Sequence, residues 1–446
     1  MVGSGPAGFY AAGHLLDSDL PVEVDMIERL PTPWGLVRLG VAPDHPKIKA
    51  VSKAFERIAA RPGFRFLGGV EVGRDLAHDD LVRLYDAVVY AVGAQTDRRM
   101  GIPGEDLPGS WAATELVAWY NGHPDYQELE FDLSGKRAVV VGAGNVALDV
   151  VRMLALSPEE IRPTDTTDEA IEAILGSGIE EIVLLARRGP AQAAFTTPEL
   201  KELGELADAD VIVDPAELEL DAASEASLER DTKARRNVEV LREYGARSPS
   251  GKQRTIRLRF CVSPVAILGE ERVEGIEIVR NRLVADESGR VSAEPTDERE
   301  TIPCGIVFRS VGYLGVELPG VPFDARRATI PNENGRVTGV PGVYCAGWIK
   351  RGPSGVIGTN KKDATETIDL LLEDAQTGLL QRDDPAATAE TVEQLLADRG
   401  VEHVTYAGWE AIDEQERGRG EPHGRPRVKL VTWDDLRAAA RSIAAR

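Results

Sequence analysis

The sequence predicts an α/β protein built from two doubly wound, parallel-sheet domains, and three observations carry that prediction. Short apolar runs such as VEVDMIE, AVVYAVGA, RAVVVGA and EEIVLLARR alternate with helical stretches such as ATELVAWY and KKDATETIDLLLED, the rhythm of strands covered on both faces by crossover helices. A Gly-x-Gly-x-x-Gly/Ala spacing occurs twice, as GSGPAG at the head of the chain and as GAGNVA after the run RAVVV. At 446 residues the chain is also long enough for two or three cores rather than one.

Composition narrows the class. Hydrophobic residues at 42% and charged residues at 28% are ordinary for a globular protein. The formal net charge of −22 argues against nucleic acid or an anionic membrane as a partner of the whole surface. Cys261, Cys304 and Cys345 stand alone, without a C-x-x-C pair for a redox disulfide or a metal-thiolate site. They read as buried thiols of a reducing cytoplasm, and no metal is expected. No apolar run approaches the roughly 18 residues of a membrane span, and no basic segment followed by an apolar core stands near Met1, so an unexported protein is expected.

Taken in chain order, the first fingerprint comprises Gly3, Gly5 and Gly8. The first two glycines permit a tight turn and close approach to a pyrophosphate, and the third lets helix and strand pack closely. Glu28 closes the next strand, where a carboxylate accepts from ribose hydroxyls. Residues 97–110, rich in Gly and Pro, read as a linker. The second fingerprint, Gly142, Gly144 and Ala147, is followed by a strand that ends in Arg187 and Arg188 instead of an acid. A guanidinium fork suits a 2′-phosphate. The first turn is therefore expected to hold FAD and the second NADP. A charged, helical excursion is expected near 221–245, and a second break around 315–343. Beyond it the strand GVYCA leads through Trp348 into a glycine turn and a helix starting near Thr359, whose N-terminus could stabilise an anionic reduced flavin. The tail holds a Gly, Pro and Arg-rich piece and the short amphipathic helix DDLRAAARSIAA.

The segments GSGPAGFYAAGHLL, PWGLVRLGVAPDHPKIK, GAGNVALDV, ARRGPAQAAFTTPELKEL and YCAGWIKRGPSGVIGTN together resemble the adrenodoxin reductase family of ferredoxin–NADP reductases. The resemblance implies a glutathione-reductase-like pair of Rossmann-type domains with the FAD domain discontinuous: 1–97 and 319–446 for FAD, with 98–318 inserted for NADP. It implies flavin contacts at Ala7, Glu28, Leu36, Val72, Trp348, Gly355, Val356 and Ile357. It implies NADP contacts at Gly144, Asn145, Val146, Ala147, Arg187, Arg188 and Glu199, with Gly355 at the nicotinamide end. His45 and Glu199, the candidate catalytic residues, fall where the family has a polar pair close to the reacting rings; from the residues alone, Asp44 could equally be capping a helix beside an ordinary loop histidine.

The implied activity is transfer of a hydride from NADPH to FAD and of single electrons to a ferredoxin-type iron–sulfur protein by a cytoplasmic monomer. An acidic partner requires a local basic face on so acidic a chain; candidates are Lys350, Arg351, Lys361 and Lys362, with Lys201, Arg235 and Arg236. Alternatives are an NADPH diaphorase or quinone reductase, an electron-input flavoprotein subunit, and a non-catalytic NADP sensor. Only Met1 and Val2 precede Gly3, so the strand that a fingerprint needs is expected to begin upstream, with weaker FAD binding in this form.

Overall fold

The computed structural model describes residues 1–287, 289–355, 357–380, 382 and 384–442. The chain divides into two compact units, Met1–Thr96 with Gly312–Arg446, and Asp97–Val311. The changeovers fall at 96/97 and 311/312, against the expected 97/98 and 318/319.

In the first unit, the strand Val24–Glu28 pairs in parallel with Phe64–Gly68, and Val88–Tyr90 pairs in parallel with Val343–Cys345. Val2 joins the two pairs, bridging Ile27 on one side and Tyr90 on the other. Strand alternation sends successive side chains to opposite faces. Val24 and Met26 thus enter one core with Phe9, Phe55, Phe66, Val89 and Ile368, while Ile27 enters another with Val2, Leu67, Tyr90, Cys345 and Ile349. The helices Pro6–Leu16 and Ile357–Gln376 supply the first of these cores. The second helix begins two residues before the expected Thr359.

The tail of this unit is more ordered than its composition suggests. Helices Tyr406–Gly420 and Trp433–Arg441 place Trp409, Ile412 and Leu436 in the first core, joined by Leu430 from the segment between them. Val404 and Gly68 exchange backbone hydrogen bonds at 2.7 and 2.8 Å, which covers the edge of the sheet.

The second unit holds a six-stranded sheet in the order Ser110–Ala112, Ile306–Arg309, Arg137–Val141, Glu181–Ala186, Arg254–Phe260, Ala209–Val213, and every pairing in it is parallel. The expected excursion is two helices, Ala222–Leu228 and Thr232–Ala246. A feature the sequence did not announce is a three-stranded antiparallel sheet, Val262–Leu268, Gly275–Ala285 and Val291–Pro303. Its Ile267, Ile276, Ile278 and Ile302 pack onto Val139, Val141, Val183 and Leu185 of the parallel sheet. No described helix is long and apolar enough to cross a membrane.

Candidate functional site

Each unit presents one glycine turn at the head of a helix, after the bridging residue Val2 in the first and after the strand Arg137–Val141 in the second. In the first unit, Gly3 has φ +98°, and a Cβ there would lie 2.6 Å from the Ala91 carbonyl oxygen. A Cβ on Gly8 would lie 2.1 Å from the Gly3 oxygen. Gly5, the N-cap of Pro6–Leu16, differs from both: a Cβ there would meet nothing within 4 Å. The first and third glycines are demanded by the protein's own packing, and the second leaves room for a ligand beside the unsatisfied N–H groups of a helix start.

Glu28 is built into this turn. One carboxylate oxygen accepts from the Ser4 backbone N–H at 3.0 Å and the Ser4 hydroxyl at 2.7 Å, and the other from the Leu30 N–H at 3.0 Å. A carboxylate offers about four lone-pair sites, so Glu28 keeps acceptor capacity for a ribose. Gly347, at φ +78°, lies so close to Ala7 that a Cβ on it would be 2.7 Å from the Ala7 methyl, which brings Trp348 and Ala7 to one place. Gly35 similarly brings Leu36 up to the turn, since its own Cβ would lie 3.0 Å from the Gly5 Cα. Val72 is buried in the second core beside Val2 and Ile27. Gly355 is exposed at φ +80°, Ile357 opens the long helix, and Val356 lies outside the described residues. The indole N–H groups of Trp34 and Trp348 are buried without a protein partner. Two orphaned donors, an open glycine and a carboxylate at the strand end fit a flavin dinucleotide.

The second unit repeats the plan. Gly142 has φ +139°, its Cβ would lie 2.2 Å from the Ser310 oxygen, and Gly144 again faces open space. The methyl of Ala147 is fully buried. Asn145 accepts the Thr196 N–H at 2.8 Å, and Val146 is half-buried. The Asn145 contact ties the turn to the helix Thr197–Leu203, which carries Glu199. Glu199 is buried with Arg152 Nη1 at 3.4 Å, and Arg152 pairs with Asp149 at 2.7 Å. Sequence reasoning passed over Asp149 and Arg152, although their i,i+3 spacing was visible.

Arg187 is exposed and Arg188 half-buried. Their backbone is held at the junction with the antiparallel sheet: Asn281 Nδ2 of that sheet donates to the Arg187 oxygen at 2.8 Å, and the N–H of Cys261, just before its first strand, to the Arg188 oxygen at 3.1 Å. Leu283 packs against Gly189. Burial, Arg187 and then Arg290 all lower the Arg188 pKa. An arginine disfavoured by its own neighbours marks a spot of positive potential suited to a dianion. Arg290, from the turn of the Gly275–Ala285 hairpin, is a third cation of this spot that the sequence did not single out.

Several expected roles change. His45, not Asp44, is the N-cap of the short helix Pro46–Lys49. Lys350 is nearly buried, 3.1 Å from Asp363 and donating to Thr367 at 3.0 Å, and Arg351 donates to Asn360 at 2.8 Å. Both hold the Trp348 segment to the following helix, so they are structural and not docking residues. Lys361, Lys362, Lys201, Arg235 and Arg236 are exposed. The cysteines are free; burial pushes the thiol of Cys261 up to about 11 and those of Cys304 and Cys345 to about 12. None is a thiolate at neutral pH, as disulfide exchange requires.

Residues 1–186 match the family model described as pyridine nucleotide-disulphide oxidoreductase. The chain is 52% identical to NADPH-ferredoxin reductase FprA of Mycobacterium tuberculosis, covering 98% of this chain and 97% of that protein. It is 42% identical to the mitochondrial NADPH:adrenodoxin oxidoreductase of Salvelinus fontinalis, covering 99% and 91%. The solved structure of M. tuberculosis FprA in complex with NADPH superposes with a TM-score of 0.94 at 52% identity, over 98% of each chain.

Proposed function

The chain belongs to the adrenodoxin reductase-type ferredoxin–NADP reductases, and from that premise we propose that it carries electrons from NADPH through FAD to a ferredoxin-type iron–sulfur protein. The observation that carries this reading is the pair of glycine turns with opposite endings, Glu28 in one unit and Arg187 with Arg188 in the other. An acid suits a free ribose and a guanidinium pair a phosphorylated one. The FAD would supply the conversion of a two-electron hydride into single electrons.

The chain's own residues bind and orient. Gly3, Gly5, Ala7, Gly8, Glu28, Leu36, Val72, Trp348, Gly355, Val356 and Ile357 form the flavin side; Gly142, Gly144, Asn145, Val146, Ala147, Arg187, Arg188 and Glu199 form the NADPH side, with Gly355 reaching its nicotinamide end. His45 and Glu199 orient rather than move protons, because hydride transfer depends on positioning and needs no general acid. The Arg152 contact keeps Glu199 directed as part of the helix Thr197–Leu203. The enzyme works as a cytoplasmic monomer, and the partner docks transiently on Lys361 and Lys362, which stand exposed on the helix after Trp348.

A paired assay tests the reading. The purified protein should show a flavin spectrum that bleaches on adding NADPH, and cytochrome c reduction should require added ferredoxin. Bleaching without ferredoxin dependence would leave a diaphorase, and no flavin at all would sink the proposal. Reversing charge with Lys361→Glu and Lys362→Glu should weaken ferredoxin reduction at low salt while ferricyanide reduction persists.

A further inference from the structure

We propose that Glu416 is a positioning residue for the flavin, holding the Trp34–Leu39 turn against the first glycine turn through Arg38 and the Trp34–Trp409 contact. The inference rests on the flavin reading above. Trp34 has φ +85°, a left-handed conformation costly for a bulky side chain and kept only where the surroundings over-determine it. On one side its N–H donates to the Ser4 oxygen at 3.0 Å, and the next residue, Gly35, presses on Gly5. These are the residues that border the open space at the head of the first helix.

On the other side stands the C-terminal tail. The Trp34 and Trp409 rings meet edge to face, centroids 4.8 Å apart. Arg38 forks onto Glu416 with hydrogen bonds of 2.8 and 2.6 Å, and its guanidinium lies 5.1 Å from the Trp409 ring centre. Glu416, which is fully buried, also accepts from Arg427 at 3.1 Å and from the Leu430 N–H at 2.9 Å. Burial by itself pushes the Glu416 carboxyl up, and Arg38 and Arg427 outweigh it, so that it is held below the usual carboxylate range. Lys429 donates to the Arg38 carbonyl at 3.4 Å. The tail reaches the ribose end as well, where Arg29, next to Glu28, lies over the Trp433 ring at 5.9 Å.

Removing the Glu416 charge leaves Arg38 buried without its counter-ion, so the turn loses its anchor and Trp34 its reason to stay strained. The test is the rate at which diluted holoenzyme releases FAD, read from recovered flavin fluorescence. Glu416→Gln should release FAD about tenfold faster or more, with affinity for adenosine 2′,5′-bisphosphate unchanged. Trp409→Phe, which keeps a ring, should give about threefold. Leu396→Ala, a cavity in the second core of the same unit, controls for general loosening and should release FAD at nearly the parental rate. A parental rate in Glu416→Gln overturns the inference, as does equal acceleration in Leu396→Ala. If Glu416→Gln does not fold, the Trp409→Phe rate decides alone. A parent without FAD fails the flavin reading itself, whereas a loaded parent with an indifferent Glu416→Gln fails only this inference.

Discussion

The two glycine turns follow one plan and diverge at two points. At the third position the first turn has Gly8, where any side chain would collide with the Gly3 carbonyl, while the second accommodates the buried methyl of Ala147. At the end of the next strand the first has Glu28 bound to Ser4 and Leu30, and the second has Arg187 and Arg188 backed by the antiparallel sheet. Both share a first glycine that packing demands, Gly3 and Gly142, and a second, Gly5 and Gly144, that a Cβ would leave uncrowded. The shared second glycine leaves open space at the helix start, and what differs is the helix packing and the charge at the strand end.

The largest effect should come from removing the second ending. Arg187→Ala with Arg188→Ala should raise KM for NADPH on the order of a hundredfold, because a charged hydrogen bond is worth about 1.5–3 kcal/mol. KM for NADH and kcat should change little, since the lost binding is uniform between ground and transition states. An unchanged preference for NADPH in steady-state kinetics would break the comparison at its ends. Next comes a crossed pair at the third position. Gly8→Ala should cost about 1–3 kcal/mol by overpacking and yield protein poor in FAD, with nucleotide binding by the second unit intact. Ala147→Gly should cost only about 0.5–1 kcal/mol, seen as a small fall in Tm. Equal FAD content in Gly8→Ala and parent would show that the two turns are interchangeable.

Smaller effects sharpen the picture. Arg290→Ala removes an exposed, screened cation and should raise KM for NADPH about two- to fivefold, leaving KM for NADH as it was. The weakest expected difference is acid sensitivity. Burial holds the imidazoles of His78 and His403 below their ordinary value, and both belong to the first unit. The unfolded chain therefore binds more protons between the folded and unfolded pKa values. Their stabilisation is complete above about pH 6.5 and is lost as pH falls through the lowered folded values. The second unit has a single histidine, His123. Acidification should release FAD before it weakens binding of adenosine 2′,5′-bisphosphate; the reverse order in a pH titration would place the acid-sensitive element in the second unit.

Much of this was legible in the chain itself. Both turns, Glu28, Arg187 and Arg188 could be placed because a glycine spacing between a strand and a helix is a local constraint, set by sterics within a few residues. The apolar runs gave away Val24–Glu28, Val88–Tyr90, Arg137–Val141, Glu181–Ala186 and Val343–Cys345 for the same reason, whereas the parallel strand Arg254–Phe260, with three arginines, offered no such run. The antiparallel sheet escaped notice because its last strand, VSAEPTDERETIP, is mostly exposed and polar, so neither period nor hydrophobicity marks it. Without that sheet, Asn281, Leu283 and Arg290 had no visible connection with Arg187 and Arg188.

Charged residues divide along the same line. The sequence alone determined which residue types stand at the ends of the two strands, and with them the sign of the charge beside each turn. Only the tertiary structure decided which other charges act as anchors: Lys350 turned inward to Asp363, Arg152 met Glu199, and Arg38 found Glu416 across 378 residues of chain. An arginine or glutamate in a sequence carries no sign of its burial. Its role follows from whether folding takes it out of water opposite a counter-charge, and that is settled by segments far apart in the chain packing on one core.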